Sequence, residues 1–102
     1  MTHKPGQIAA NQAIKLVYGE RMTHGDAEKM FTALGRIWAA KLGIKDIQPH
    51  MAASFLQDVK IMRMAMGSKN NDNAVDNLGY GMIVADLYLG QKPYWQLVTN
   101  LL

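Results

Sequence analysis

The stretch NNDNAVDNLGYGM, residues 70–82, decides how this chain folds. Taken as a polar loop, its amides and two carboxylates would only connect neighbouring elements. Its spacing argues for a helix instead. Asp76, Tyr80, Ile83 and Leu87 recur at intervals of four, three and four, which places them on one helical face, and Asp72 stands one turn earlier. A fourth helix is therefore expected over residues 72–89, closed by Gly90.

The preceding segments follow from the same punctuation. Pro49 suits a first helical position and opens PHMAASFLQDVKIMRMAM, residues 49–66, which Gly67 ends. Residues 26–42, DAEKMFTALGRIWAAKL, set Phe31, Leu34, Ile37, Trp38 and Leu42 on one face. Thr23 with Asp26 resembles a capping box, and Gly43 is a natural stop. QIAANQAIKLV, residues 7–17, reads as a first helix ended by the YGER turn, and Pro93 opens a short last one, PYWQLVTNLL. Short loops join antiparallel neighbours, so the expected fold is all-α, a compact up-and-down bundle of four to five helices. It forms a single domain over 1–102, with residues 1–6 as a flexible N-terminus.

Composition narrows the function classes. The 102 residues are 49% hydrophobic and 19% charged, which is ordinary globular usage. Cysteine is absent, so thiolate metal sites and disulfides are excluded. The net charge of +3 comes from scattered Lys and Arg that never form a run, unlike the concentrated basic face of a nucleic-acid binder. A helix-turn-helix reading fails because the fourth helix carries aspartates that phosphates would repel. No stretch has the length of a membrane span or the pattern of a signal peptide. A soluble, cytoplasmic protein is expected, and a homodimer, because a bundle this small gains buried surface by pairing.

The third helix carries Met51, Phe55, Met62 and Met66 along one stripe, and Asp58 completes it. Asp58 and Asp76 should then face the bundle, where an ionised carboxylate is costly unless paired, hydrogen-bonded or metal-bound. Two compensations are open. Lys60, Arg63 or Tyr80 pairs with them internally while Asp72 caps its helix. Alternatively Asp58, Asp72 and Asp76 share a divalent cation, and their oxygen chemistry suits Mg²⁺. Arg21, Thr23, His24 and the Gly25 backbone precede a helix start, which is either an anion site or a plain capping turn. The sequence has no GxSxG, no phosphate loop and no dinucleotide fingerprint. Trp38 reads as core rather than as a base-stacking platform, and Tyr94 and Trp95 as core rather than as an interface or a lid over the bundle end.

The order of YGER, THGD, LGRIWAAKLG, AASFLQDVKIMRMAMG and DNAVDNLGYGM resembles a family of small phage and prophage proteins whose domain has no known function. His24, Gly25, Phe31, Trp38, Lys60, Ile61, Arg63, Asp72, Asp76, Gly79 and Tyr80 carry that pattern over residues 18–90. That family is distantly similar to the all-α, MazG-like nucleoside triphosphate pyrophosphohydrolases, helical oligomers that bind Mg²⁺ through acidic motifs. This sequence departs from them: it has no ExxE, and Asp72 and Asp76 are four apart where the later motif needs three.

Two hypotheses follow. In the first, a Mg²⁺-dependent nucleotide pyrophosphohydrolase uses Asp58, Asp72 and Asp76 on the metal, Asp58 or Asp76 to orient water, and His24, Lys60, Arg63 and Tyr80 on a nucleotide or other phosphate ligand. In the second, a non-enzymatic phage accessory protein inhibits a host or defence protein by binding it or by sequestering its nucleotide signal.

Overall fold

Helices form where the punctuation places them. The structure is a computed structural model and describes residues 4–19, 27–67 and 69–90. It contains α1 (Pro5–Tyr18), α2 (Ala27–Leu42), α3 (Pro49–Met66) and α4 (Asn71–Gly90), and no strand among the described residues. The fold is all-helical, with α3 and α4 packed up and down. The last helix expected from Pro93, the Thr23–Asp26 box and Tyr94 and Trp95 lie outside the described residues.

Local chemistry sets the ends. α1 starts at Pro5, inside the expected N-terminal tail, because a proline at the first helical position forfeits no hydrogen bond. Pro49 opens α3 in the same way. α2 ends in a Schellman turn: Gly43 adopts φ 69°, the Gly43 amide donates to the Ala40 carbonyl at 3.3 Å, and the Ile44 amide donates to the Ala39 carbonyl at 3.0 Å. At the start of α4 the Asp72 amide donates to Asn70 Oδ1 at 2.7 Å. Asn70, not Asp72, is therefore the cap, and the Asp72 carboxylate sits in the first turn, where the helix dipole favours it.

α4 is the central element, flanked by α3 and α1, while α2 packs on α3. α3 runs antiparallel to α4, with His50 against Tyr88 at one end and Lys60 against Asp76 at the other. α1 runs in the same sense as α4: Asn71 donates to Gln12 near their starts and Tyr18 to Asp86 near their ends. Two buried clusters result. Phe31, Ala39, Ile47, Ala52, Ala53, Ile83 and Leu87 form the larger, and Ala9, Ala13 and Val75 the smaller.

These lists correct the expected facing of α3. Met51, Met62 and Met66 are exposed, Met66 to 80%, and Asp58 is exposed with them; of the expected stripe Phe55 alone packs, half-buried against Trp38. α3 packs through Ala52 and Ala53, the neighbouring stripe of the same helix, because small side chains allow closer approach of the helices. On α2, Phe31, Gly35 and Ala39 are buried and Leu34 and Trp38 half-buried, whereas Ile37 and Leu42 are exposed.

The segment after Gly43 folds back so that Ile47 lies against Gly35. A Cβ at Gly35 would run into the Ile47 carbonyl, which is backbone and cannot swing aside. A Cβ at Gly79 would meet only Val17 Cγ2, at an ordinary 3.4 Å. The two glycines should therefore respond oppositely to Ala in denaturant unfolding. Gly35→Ala is expected to cost about 2 kcal/mol or more, and Gly79→Ala to be neutral or to gain up to about 1 kcal/mol from helix propensity.

Candidate functional site

The seam between α3 and α4 is apolar except over one stretch. There Lys60 Nζ stands 3.1 Å from Asp76 Oδ2, with only 17% and 28% of the two side chains exposed. Helical spacing on α4 that brings Ile83 and Leu87 into the core carries Asp76 and Tyr80 to the same side. Lys60 meets Asp76 because it lies two turns beyond Ala53 on the face of α3 turned to α4. One turn back, Gln57 Nε2 donates to the Asn77 carbonyl at 3.3 Å. Gly81 makes room for that amide, since a Cβ there would come within 3.1 Å of it. The Asn77 Oδ1 atom is buried without a hydrogen-bond partner.

The expected site residues divide clearly. Lys60 and Asp76 come together at the seam, and Tyr80, one turn along α4 from Asp76, packs half-buried against the larger cluster. Arg63 lies one turn beyond Lys60 on α3 with its side chain exposed. Asp58 is exposed on the outer side of α3, and Asp72 is exposed in the first turn of α4. Among the described residues no group of three or more His, Cys, Asp or Glu is placed to hold a metal. The three-aspartate centre is therefore not assembled, because Asp58 belongs to the stripe of α3 that packing turned outward. His24 lies outside the described residues. Gln57, Asn77 and Gly81 were not anticipated from the sequence.

A second polar tie joins α1 to α4. The Tyr18 hydroxyl donates to Asp86 Oδ2 at 2.7 Å. That hydrogen bond, with smaller contributions from burial and from the Asp86 charge, raises the Tyr18 pKa above its ordinary value of 10.0. The protonated phenol is the form the fold favours. Its contribution to stability is whole below pH 10 and fades as the pH rises through the raised value.

An open apolar groove of ≈340 Å³ lies between α2 and α3, lined by Trp38, Lys41, Leu42, Phe55, Leu56 and Val59. Trp38 and Phe55 form its floor as a tilted ring pair 5.4 Å apart. No helix among the described residues is long and apolar enough to cross a membrane.

Two measurements follow from this geometry. In a double-mutant cycle, Asp76→Ala should cost about 1–3 kcal/mol by stranding a half-buried ammonium, and Lys60→Met combined with Asp76→Leu should recover most of that loss. In an alkaline absorbance titration of the phenolate band, Tyr18→Phe should remove a component that ionises above the ordinary tyrosine range, and Asp86→Asn should move that component down.

Residues 9–88 match the family described as Domain of unknown function (DUF6378), and the chain belongs to that family. Neither a curated protein nor a solved structure shows a match to it.

Proposed function

We propose that this member of the DUF6378 family binds a phosphate-bearing ligand, with nucleotides as the first class, at the polar seam of α3 and α4. The observation that carries the reading is the half-buried Lys60–Asp76 pair at the α3–α4 seam, beside the Gln57 and Asn77 amides. Such a pair is weak evidence for stability, since desolvation consumes most of its attraction. As a ligand device it has a clear use: Asp76 fixes the Lys60 ammonium in place, and an arriving phosphate competes for its donors. Arg63, one turn on, supplies a forked guanidinium suited to phosphate oxygens, and Tyr80 shares the helical face of Asp76. The sequence resemblance to MazG-like proteins supports a nucleotide over other anions, and His24 remains part of the proposed ligand set.

Mg²⁺ does not fit the residues as they are placed, because Asp58, Asp72 and Asp76 do not converge. The reading therefore stops at binding and derives no hydrolytic step.

A second reading has its own observation. Ile8, Ile14, Ile37, Tyr88 and Leu89 are each 46% or more exposed, a large apolar load for so small a domain. It favours the accessory protein of phage type that docks on a host or defence protein.

Thermal unfolding against inorganic pyrophosphate and a nucleotide panel, with and without Mg²⁺, separates the two. Ligand at 100 times its dissociation constant should add about 2.7 kcal/mol, which raises Tm by roughly 4–8 °C per kcal/mol. Arg63→Ala and Lys60→Met should remove the shift, and Asp58→Asn should leave it intact. An unshifted Tm across the whole panel overturns the ligand reading in favour of the second.

A further inference from the structure

The C-terminal half of α3 departs from the pattern of a surface helix. Val59, Ile61, Met62, Met64 and Met66 are all exposed, at 37%, 47%, 47%, 41% and 80%. A helix that is apolar nearly all round is ordinarily buried. Here the apolar groove beside Trp38 opens at Val59, so apolar surface runs on from α2 along α3.

The spacing of that surface is specific. Val59, Met62 and Met66 recur at three and four, the a, d, a positions of a heptad, with a β-branched residue at the first a. Phe55, one turn earlier, is already engaged by Trp38, so the free seam begins at Val59. In this frame Asp58 falls at g and Arg63 at the following e, on opposite flanks of the stripe and five residues apart. That is the separation at which parallel helices related by a two-fold axis exchange charge pairs across their seam, and such flanking pairs fix partner and orientation. Antiparallel pairing would set like flanks together and leave both charges unmatched. Asp58 and Arg63 are both exposed and so available, whereas Lys60 is taken up by Asp76 on the inner side.

We infer that α3 pairs in parallel with α3 of a second copy of this chain, closing Val59, Met62 and Met66 against one another and setting each Asp58 beside the partner's Arg63. The interface is isologous, as a two-fold requires. It uses the outer face of α3 and leaves Lys60 and Asp76 of the α4 seam free; because Arg63 also serves the ligand reading, Asp58→Arg, at a position which that reading does not use, separates the failure of one from the failure of the other.

Sedimentation equilibrium of the full chain, with far-ultraviolet dichroism to verify folding, provides the test. A concentration-dependent dimer is expected. Asp58→Arg and Arg63→Asp should each raise its dissociation constant about tenfold or more, and the double exchange should return it to within roughly threefold of the starting value, as a charge pair across the seam demands. Because the chain has no cysteine, Met62→Cys alone should oxidise to a disulfide-linked dimer. A chain that stays monomeric at every concentration overturns the proposal and assigns the stripe to another segment or another protein. A dimer indifferent to both charge reversals, or one that crosslinks only when Val59→Cys is mixed with Met62→Cys, overturns the parallel register.

Discussion

Everything in this fold depends on how closely α4 can be approached from two sides. Interhelical distance is set by the side chains at the contact, and here those are Ala9 and Ala13 on α1 and Ala52 and Ala53 on α3. Gly79 is buried in α4 between them, with Val17 of α1 in contact distance of where its Cβ would stand. Alanine contributes little transfer free energy of its own, since burial gain scales with apolar area. What small residues supply is dense packing of backbone against backbone, reinforced by the few larger groups that fit. Among the described residues Phe31 is the largest side chain that is wholly enclosed.

That constraint explains what the sequence made legible. Helix boundaries were readable at Pro49 and Gly43, which act locally, through φ and through a missing or freed hydrogen bond, whereas Pro5, which opens α1 by the same rule, was left in the tail. The face of α4 was readable because Ile83 and Leu87 are large enough to mark it, and Asp76 and Tyr80 follow them by period. α3 was misread for a physical reason. It has two apolar stripes, one of Ala52 and Ala53 and one of Met51, Phe55, Met62 and Met66, and hydropathy prefers the larger side chains. Close packing prefers the smaller. Asp58 went outward with the stripe it belongs to, and the three-aspartate metal centre went with it.

The candidate site shows the same division. Lys60 and Asp76 were nominated from sequence, and their pairing at 3.1 Å is the internal compensation a half-buried carboxylate requires. Gln57 and Asn77 were not, because nothing in an isolated helix shows that its backbone will be approached closely enough for a neighbouring amide to reach a carbonyl. Asn70 was hidden by its neighbour: SKNND offers two asparagines and an aspartate as caps, and only the final turn geometry selects among them.

α3 thus reverses the usual order of a surface helix, with an ammonium turned inward and methionines turned outward. Each half of that reversal is costly in a monomer, the first through desolvation and the second through apolar area left in water. The two costs have different remedies. Asp76 meets the first within the chain. The second has no equivalent answer on α3 itself, because the inner face is already filled by α4 and the groove beside α2 stops at Val59. A helix committed on one side to its own fold and apolar on the other is a wall between two interfaces. The Asp58 and Arg63 flanks are what distinguish a specific second interface from an indiscriminate one, since apolar side chains alone would accept any register.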